Sequence, residues 1–294
     1  MQDASLSPDT ERWTFTDHGP WIVDGEALRW NRGLAVLRLT IHRQVPVLTG
    51  RRRFPPPARL AEVTARLGTA VGAWAISERR SDPSTSRSGL SRRLRIAAEH
   101  LGPTYIKLGQ IISSGEGLFP SELVEEFRKC RDQVRAEPFE TVRRVIEEDL
   151  GQPLEEVFTS FDPVPLAAAS IAQVHVATLA TGEDVVVKVQ RPTIRQQVHS
   201  DLKVMSWLAP FLVGRIPIAA LANPPALVEL FAETILEELD FRLEAENMLD
   251  VAEVFAQLGQ RGWVIARPHP ELVTRRVLVM ERLHGFAFED LESM

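Results

Sequence analysis

Residues 165–192, PLAAASIAQVHVATLATGEDVVVKVQRP, decide how this chain folds. Apolar and β-branched side chains dominate the runs Ile171 to Leu179 and Val185 to Val189, as is typical of β-strands. The residues between the runs include Thr181 to Asp184 (TGED), where the glycine and the acidic residues favour a tight turn. Two such runs joined by a short turn predict an antiparallel hairpin.

A lysine interrupts the second strand of this hairpin. Lys188 lies between Val187 and Val189, and an ammonium group is costly to bury unless it meets an anion. Two arrangements satisfy this constraint. Either the strand lies at the edge of its sheet and Lys188 faces water, or Lys188 faces an anionic partner inside the protein. The strand alone does not decide between them.

An alanine-rich loop precedes the hairpin. It consists of Ala167, Ala168 and Ala169, followed by Ser170. Protein kinases have a glycine-rich loop over the ATP phosphates at the corresponding place, and a lysine on the third strand pairs with those phosphates. Backbone N–H groups of alanines can still contact phosphate, although alanine does not adopt the positive φ angles that glycine allows. Because alanine runs are common, the loop by itself is a weak signal.

A long acidic helix is predicted from Pro225 to about Leu258. Glu237, Asp240 and Glu244 stand at positions i, i+3 and i+7, so they would share one face of a continuous helix. Like charges at this spacing repel by roughly 0.2–0.5 kcal/mol per pair, and a cationic partner would relieve the repulsion. A kinase lysine requires a glutamate on a helix behind the sheet. The alternative is an ordinary solvated acidic face.

Helical patterns also precede the sheet, and they carry a second candidate motif. Lys107 and Gln110 lie on one side of a predicted helix, with Gly109 between them. A glycine inside a helix costs about 1 kcal/mol relative to alanine, which indicates either a close backbone approach or a kink. The Ser/Arg-rich segment 80–91 predicts a linker. The predicted helices are 59–77, 91–101, 104–113, 121–134 with Ser121 as N-cap, 139–150 and 193–208.

These elements together predict an α+β fold, a small and mostly antiparallel sheet with long helices against it. Two further strands are predicted near 263–267 and 276–280. Three regions follow from this pattern. Residues 1–90 are left unassigned, residues 91–150 form a helical extension, and residues 151–294 form the sheet-containing domain.

Composition narrows the function classes. The chain has 294 residues, of which 44% are hydrophobic, and a formal net charge of -6, which argues against a nucleic-acid partner. Cys130 is the only cysteine, so an intrachain disulfide is excluded. We expect a soluble, cytoplasmic protein, because no signal peptide and no run of about 18 apolar residues is present. The lysines are Lys107, Lys129, Lys188 and Lys203, against thirty arginines among the 34 basic residues.

Four segments together resemble the UbiB/AarF family of atypical protein-kinase-like proteins, which is associated with quinone biosynthesis and lipid homeostasis. They occur in the family's order and at about its spacing, over residues 90–294. The segments are LGPTYIKLGQI (Leu101–Ile111), PLAAASIAQVHVA (Pro165–Ala177), DVVVKVQRP (Asp184–Pro192) and EELDFRLEAENM (Glu237–Met248).

The resemblance implies a kinase-like N-lobe, the smaller lobe that covers ATP, behind a helical N-terminal extension. It identifies Lys188 as the nucleotide-contacting lysine and Glu244 as its ion-pair partner. It also implies that the alanine-rich loop replaces the glycine loop, and that Met280 and Glu281 belong to the hinge that receives adenine. We therefore expect ATP as the cofactor, bound only weakly by this chain.

The family's KxGQ motif is carried over to Lys107, Gly109 and Gln110. In the family this motif lies on an extension that folds over the nucleotide site. Glu238 and Asp240 match the family's ExD motif, which engages the KxGQ lysine. The resemblance therefore implies that Lys107 and Gln110 pack beside Glu238 and Asp240.

The family's catalytic aspartate and metal ligands lie beyond the hinge, in the C-lobe. Only nine residues follow Gly285, so we expect a chain truncated before that lobe, without catalytic residues and without its own Mg²⁺ ligands. Two functions remain open. One is an ATPase or kinase of quinone or lipid metabolism, with a separate C-lobe or another protein over the exposed face and with peripheral membrane or lipid association implied by the family. The other is a non-catalytic regulatory or interaction module.

Overall fold

The computed structural model describes residues 15, 19–23, 28–50, 54–130, 135–213, 223–260 and 262–285. Six strands of this part form one antiparallel sheet in the order β1-β3-β4-β6-β5, with β2 paired to β3. The strands are β1 (Phe158–Phe161), β2 (Ala167–Ala168), β3 (Ala172–Leu179), β4 (Asp184–Gln190), β5 (Pro268–Val273) and β6 (Val277–Glu281).

The predicted hairpin is confirmed. Strands β3 and β4 pair from Thr178 opposite Asp184 to Ala172 opposite Gln190. Gly182 supplies the turn with a φ of 104°, a backbone conformation that favours glycine. The hairpin therefore forms where the sequence placed its turn, and β4 lies inside the sheet between β3 and β6.

Helices pack on both faces of the sheet and against one another. Ten are described: α1 (Leu34–Thr49), α2 (Pro57–Ser77), α3 (Pro83–Leu101), α4 (Pro103–Ser113), α5 (Ser121–Arg128), α6 (Phe139–Leu150), α7 (Leu154–Val157), α8 (Ile194–Leu212), α9 (Pro224–Glu238) and α10 (Phe241–Gln257). The predicted α+β arrangement is thus confirmed. None of these described helices is long and apolar enough to cross a membrane.

The two faces of β4 have different surroundings. Val185, Val187 and Val189 are each at most 2% exposed and pack in a core with residues of α6 and α7, including Ile146. We call this side the sealed face. The alternate residues Val186 and Lys188 are half-buried on the opposite side, which we call the cleft face.

The predicted linker at 80–91 is wrong, because this segment lies mostly within α3. Asp82 caps the helix by accepting a hydrogen bond from the Thr85 backbone N–H at 3.0 Å, and Pro83 occupies the first turn. Leu90 and Ser91 are buried. An N-cap and tertiary packing therefore outweigh the loop-like composition of this segment.

The single helix predicted from Pro225 to Leu258 is also wrong, since the chain forms α9 and α10 with a break at Leu239 and Asp240. The Asp240 side chain caps α10 by accepting from the Arg242 backbone N–H. The Phe241 N–H donates outside the helix, to the Arg275 carbonyl at 3.0 Å. Asp240 therefore starts a new helix, and it does not share a helical face with Glu237 and Glu244.

Several smaller boundaries differ from the prediction. The strand predicted at 263–267 lies further along the chain, as β5. The helix predicted at 121–134 corresponds to α5, which ends at Arg128; residues 131–134 lie outside the described residues. Pro120 stands at the N-cap of α5, so Ser121 is its first helical residue. Helix α6 ends in a left-handed cap, with Gly151 at a φ of 70°.

Helices of the unassigned first 90 residues pack against the rest of the chain. Leu34 and Ile41 of α1 and Val63 of α2 are buried in one core with Phe231 of α9 and Leu202 of α8. Arg59 of α2 forms an ion pair with the fully buried Asp201 of α8 at 2.6 Å. The N-terminal helices therefore share a core with the helices that flank the sheet.

Candidate functional site

A cleft of about 420 Å³ lies between the cleft face of the sheet and the helices α4, α9 and α10. Its volume is within the range of roughly 300–1,000 Å³ that small-molecule sites occupy. The residues that line it are Lys107, Ala169, Ser170, Ile171, Ala172, Lys188, Thr234, Glu237, Glu238, Leu243, Glu244 and Asn247.

Lys188 and Glu244 form the predicted ion pair. The Lys188 Nζ lies 2.6 Å from Glu244 Oε1 and 2.7 Å from Oε2. It also lies 5.0 Å from the centre of the Phe241 ring, within the range of a cation–π contact. The strand places the lysine, and the first turn of α10 supplies both the carboxylate and the ring.

The arrangement with Lys188 on an edge strand is excluded, because β4 is hydrogen-bonded on both sides. The Lys188 side chain is 22% exposed, and that exposed part faces the cleft. A charged group in this position is paired, yet it remains within reach of a ligand. The acidic-surface alternative for Glu244 is excluded by the same contact.

Lys107 approaches the cleft from α4. Its Nζ lies 2.7 Å from Glu238 Oε1, at the last residue of α9, and both side chains are about a quarter to a third exposed. The predicted contact between the KxGQ lysine and Glu238 is therefore present, and it joins the N-terminal helices to the mouth of the cleft.

Asp240 does not take part in that contact. Its carboxylate accepts from the Arg242 guanidinium at 2.9 and 2.7 Å, and Asp240 is only 3% exposed. The prediction that Asp240 joins Glu238 beside Lys107 is wrong in this structure. As the N-cap of α10, the carboxylate turns toward the backbone and the side chain that follow it.

Gly109 allows a close approach, but between helices rather than at the cleft. A Cβ at this position would lie 2.4 Å from the Phe127 ring of α5. Gln110 is half-buried, and its backbone carbonyl accepts from the hydroxyls of Ser113 and Ser114. Neither residue is among the described residues that line the cleft, so only Lys107 of this motif reaches it.

The alanine-rich loop divides into two parts. Ala167 and Ala168 form β2 against β3, whereas Ala169 and Ser170 line the cleft together with Ile171. Ser170 is 2% exposed. The loop is thus a tight hairpin whose tip borders the space in front of Lys188.

Met280 and Glu281 are the last residues of β6, and neither is among the described residues that line the cleft. Glu281 is 6% exposed, and its carboxylate accepts from the Arg267 backbone N–H at 3.3 Å. Met280 pairs with Val186 in the sheet and is half-buried against the core. Their expected place at an adenine-receiving hinge stays a prediction.

Four further residues belong to the acidic side of the cleft. Glu237, Thr234 and Asn247 line it, and Arg38 of α1 supports it from behind. The Arg38 Nη2 donates to Glu246 at 2.6 Å and to Asn247 at 3.1 Å, and the Nη1 lies 3.6 Å from Glu237. Glu237 was visible in the sequence as a member of the acidic helix. No local sequence pattern connects Arg38 to residues about 200 positions later.

The cleft is close to charge balance. Its lining includes three carboxylates, of Glu237, Glu238 and Glu244, and two ammonium groups, of Lys107 and Lys188. Within the part of the chain that the structure describes, no three His, Cys, Asp or Glu side chains form a group that could hold a metal ion. The cations each have a carboxylate partner, so an incoming anion competes with Glu238 and Glu244.

Comparison with known proteins identifies the family to which the chain belongs. The model of the ABC1 atypical kinase-like domain matches residues 129–294, more than half of the chain. An uncharacterized aarF domain-containing protein kinase of the chloroplast from Arabidopsis thaliana is 42% identical over 206 residues, which is 68% of this chain and 38% of that protein.

Two bacterial proteins give similar matches. A probable protein kinase UbiB from Vibrio parahaemolyticus is 39% identical over 70% of this chain and 38% of its own length. An uncharacterized protein from Mycobacterium tuberculosis is 37% identical over 99% of this chain and 60% of its own length. The chain thus spans about 38% to 60% of these relatives. It belongs to the UbiB/AarF family of proteins with an ABC1 atypical kinase-like domain.

Proposed function

We propose that the cleft binds ATP and that Lys188 contacts its phosphates. The observation that carries this proposal is the position of Lys188 on an internal strand, facing the cleft and paired at 2.6 Å with Glu244 of a helix behind the sheet. Active protein kinases require such a lysine–glutamate pair. When bound, ATP would supply the phosphoryl group for transfer or hydrolysis.

The residues of the cleft fit the phosphate part of a nucleotide. Lys188 offers a cation, and the tip of the alanine-rich loop, from Ala169 to Ala172, borders the same space. Backbone close to an ammonium group is the usual environment of bound phosphate. In this proposal Glu244 orients Lys188, and Met280 and Glu281 remain the candidates for the adenine end.

The Lys107–Glu238 pair is proposed to cover the cleft from the N-terminal side. Lys107 comes from α4 and Glu238 from α9, so the contact at 2.7 Å joins two helices that both contribute to the cleft lining. A cover of this kind would limit which second substrate reaches the nucleotide. We further propose that 91–150 act as the extension and 151–294 as the nucleotide-binding lobe.

The proposed activity is that of an atypical kinase or ATPase linked to quinone or lipid metabolism. The family relationship supports this class. Because the chain spans only part of its relatives, the reaction, its substrate and any association with a membrane surface or a partner lobe are proposals for the whole protein. The contribution assigned to the described residues is to bind and orient the nucleotide.

Calorimetric titration of the chain with ATP, in the presence of Mg²⁺, tests the proposal through Lys188→Met. Removing the phosphate-contacting cation should weaken ATP binding at least about tenfold, equivalent to roughly 1.4 kcal/mol. Lys129→Met is the matched control, because Lys129 is 62% exposed and lies outside the cleft lining. Equal ATP affinity of both variants would refute the assignment of Lys188.

A further inference from the structure

The alanine-rich loop is held from the side away from the cleft. Its base is fixed by the β2–β3 pairing, in which Ala167 lies opposite Val174. Its tip is closed by a hydrogen bond from the Ala169 N–H to the Ala172 carbonyl at 2.8 Å. These bonds fix the shape of the hairpin, but they do not attach its tip to the rest of the sheet.

Arg191 contacts the tip directly. It follows the last residue of β4, and its backbone N–H donates to the Ile171 carbonyl at 3.0 Å. The guanidinium Nε donates to the Ala169 carbonyl at 3.1 Å, and the Nη1 donates to the Arg135 carbonyl and to Glu137 Oε1, both at 3.0 Å. Arg191 is 6% exposed, so these bonds form in a nearly dry environment.

A row of buried polar groups extends this contact along the sealed face. The Glu137 N–H donates to Gln173 Oε1 at 2.8 Å, the Gln173 amide lies 2.8 Å from His175 Nε2, and His175 Nδ1 lies 2.8 Å from the Asp162 carbonyl. A carbonyl can only accept, so Nδ1 carries the proton and Nε2 accepts from the Gln173 amide. Gln173 and His175 are 2% and 0% exposed.

We propose that Arg191 is the positioning residue of the alanine-rich loop and fixes the backbone that faces the nucleotide phosphates. This inference rests on the proposed function. The bond to Arg191 occupies the Ala169 carbonyl with a cation, so the negative end of that peptide group is not offered to the phosphates. Arg191 thus acts on phosphate binding through the loop, without touching the nucleotide.

The planar fork of arginine is needed for this role. Within the described residues, the guanidinium donates to acceptors of different kinds, including the carbonyls of Ala169 and Arg135 and the carboxylate of Glu137. A lysine keeps the charge but presents one ammonium group on a flexible stem, and it does not reproduce the fork geometry. Arg191→Lys therefore separates the geometry of the contact from its charge.

Hydrogen exchange of the nucleotide-free chain is the first measurement. Arg191→Lys should speed exchange of the Ala169 amide about tenfold or more, because the loop opens more often once its tip is released. ATP affinity should fall about tenfold while adenosine affinity stays unchanged, since the loop faces the phosphates. Glu137→Gln removes the charge of one acceptor and preserves its shape, so it should speed Ala169 exchange and lower ATP affinity by smaller factors.

Arg59→Lys is the matched control. Arg59 also donates to a carboxylate and to a backbone carbonyl, those of Asp201 and Leu101, but it lies among the helices. This variant should lower stability without changing exchange at Ala169.

Unchanged exchange at Ala169 in Arg191→Lys, or equal losses of ATP and adenosine affinity, would overturn the inference. The exchange measurement needs no nucleotide, so it decides the role of Arg191 in holding the loop even when wild type binds no ATP. If the wild type binds no ATP, the proposed function is overturned, whereas the role of Arg191 in holding the loop is not.

Discussion

The two faces of strand β4 differ in function: one packs in the core, and the other contributes to the cleft. On the sealed face, Val185, Val187 and Val189 are buried against α6 and α7, whereas one residue along, Lys188 faces the cleft and pairs with Glu244. Side chains of a strand alternate between faces, so a single segment of seven residues serves both. The comparison teaches that stability and ligand binding can be altered separately here, by substitutions at neighbouring positions.

The separation is not complete, because the sealed face also holds polar groups. His175 lies opposite Val187 in the sheet and Gln173 lies opposite Val189, so both belong to the sealed side. Through Glu137 and Arg191 these groups are connected to the tip of the alanine-rich loop. The sealed face thus supports the cleft from behind.

The largest expected effect comes from Ile146→Ala in α6. Ile146 is 0% exposed and packs in the core of the sealed face, so the truncation should lower the free energy of unfolding by about 3 kcal/mol. ATP affinity, measured where the variant is still folded, should not change. Urea denaturation and calorimetric titration check the two parts.

The matched control is Ile76→Ala, at a helical position that is 91% exposed. It should change stability by less than about 0.5 kcal/mol. A loss of ATP affinity in Ile146→Ala as large as that in Lys188→Met would show that the two faces are not separable.

A smaller effect is expected from pH, through His175. Burial lowers the pKa of His175 below its ordinary value of 6.5, although the carbonyl of Asp162 partly opposes the shift. The unfolded chain therefore takes up a proton near pH 6.5 that the folded chain does not, and stability is lost as the pH falls from 6.5 toward the lower folded-state pKa. The free energy of unfolding should decline between pH 7.5 and 5.5.

His175→Gln isolates this contribution, because glutamine does not titrate. The variant should lose less stability over the same pH interval than the wild type, whatever its stability at pH 7.5. His199 and His269 also have pKa values lowered by burial and are present in both proteins. If the free energies of unfolding of the wild type and His175→Gln change in parallel with pH, His175 has the same pKa in the folded and unfolded chain, and the prediction is wrong.

Much of the site could be predicted from the sequence, where local pattern and motif agree. Lys188 is conspicuous as the charged residue of an apolar strand, and the carboxylates after Glu237 offered its partner. The ion pair between Lys188 and Glu244 was predicted and is present. The strand leaves open whether Lys188 faces water or an anion, and it is the resemblance to the UbiB/AarF family that selects Glu244 among these carboxylates.

Predictions failed where tertiary packing or a cap outweighed composition. Asp240 appeared to continue an acidic helical face, but its side chain caps α10 and pairs with Arg242. The segment 80–91 has the composition of a loop, and packing makes it part of α3. The sequence does not indicate a role for Arg38, because its contacts with Glu246 and Asn247 connect distant parts of the chain.

The central claim, that ATP phosphates lie at Lys188, is most directly tested with an acyl-phosphate derivative of ATP, which acylates lysine amines near the bound phosphates. The chain contains four lysines, of which Lys107 and Lys188 line the cleft and Lys129 and Lys203 do not. Peptide mass spectrometry should find acylation concentrated on Lys188, with less on Lys107, and excess ATP should suppress it. Equal labelling of all four lysines, or labelling of Lys188 that ATP does not suppress, would contradict the account.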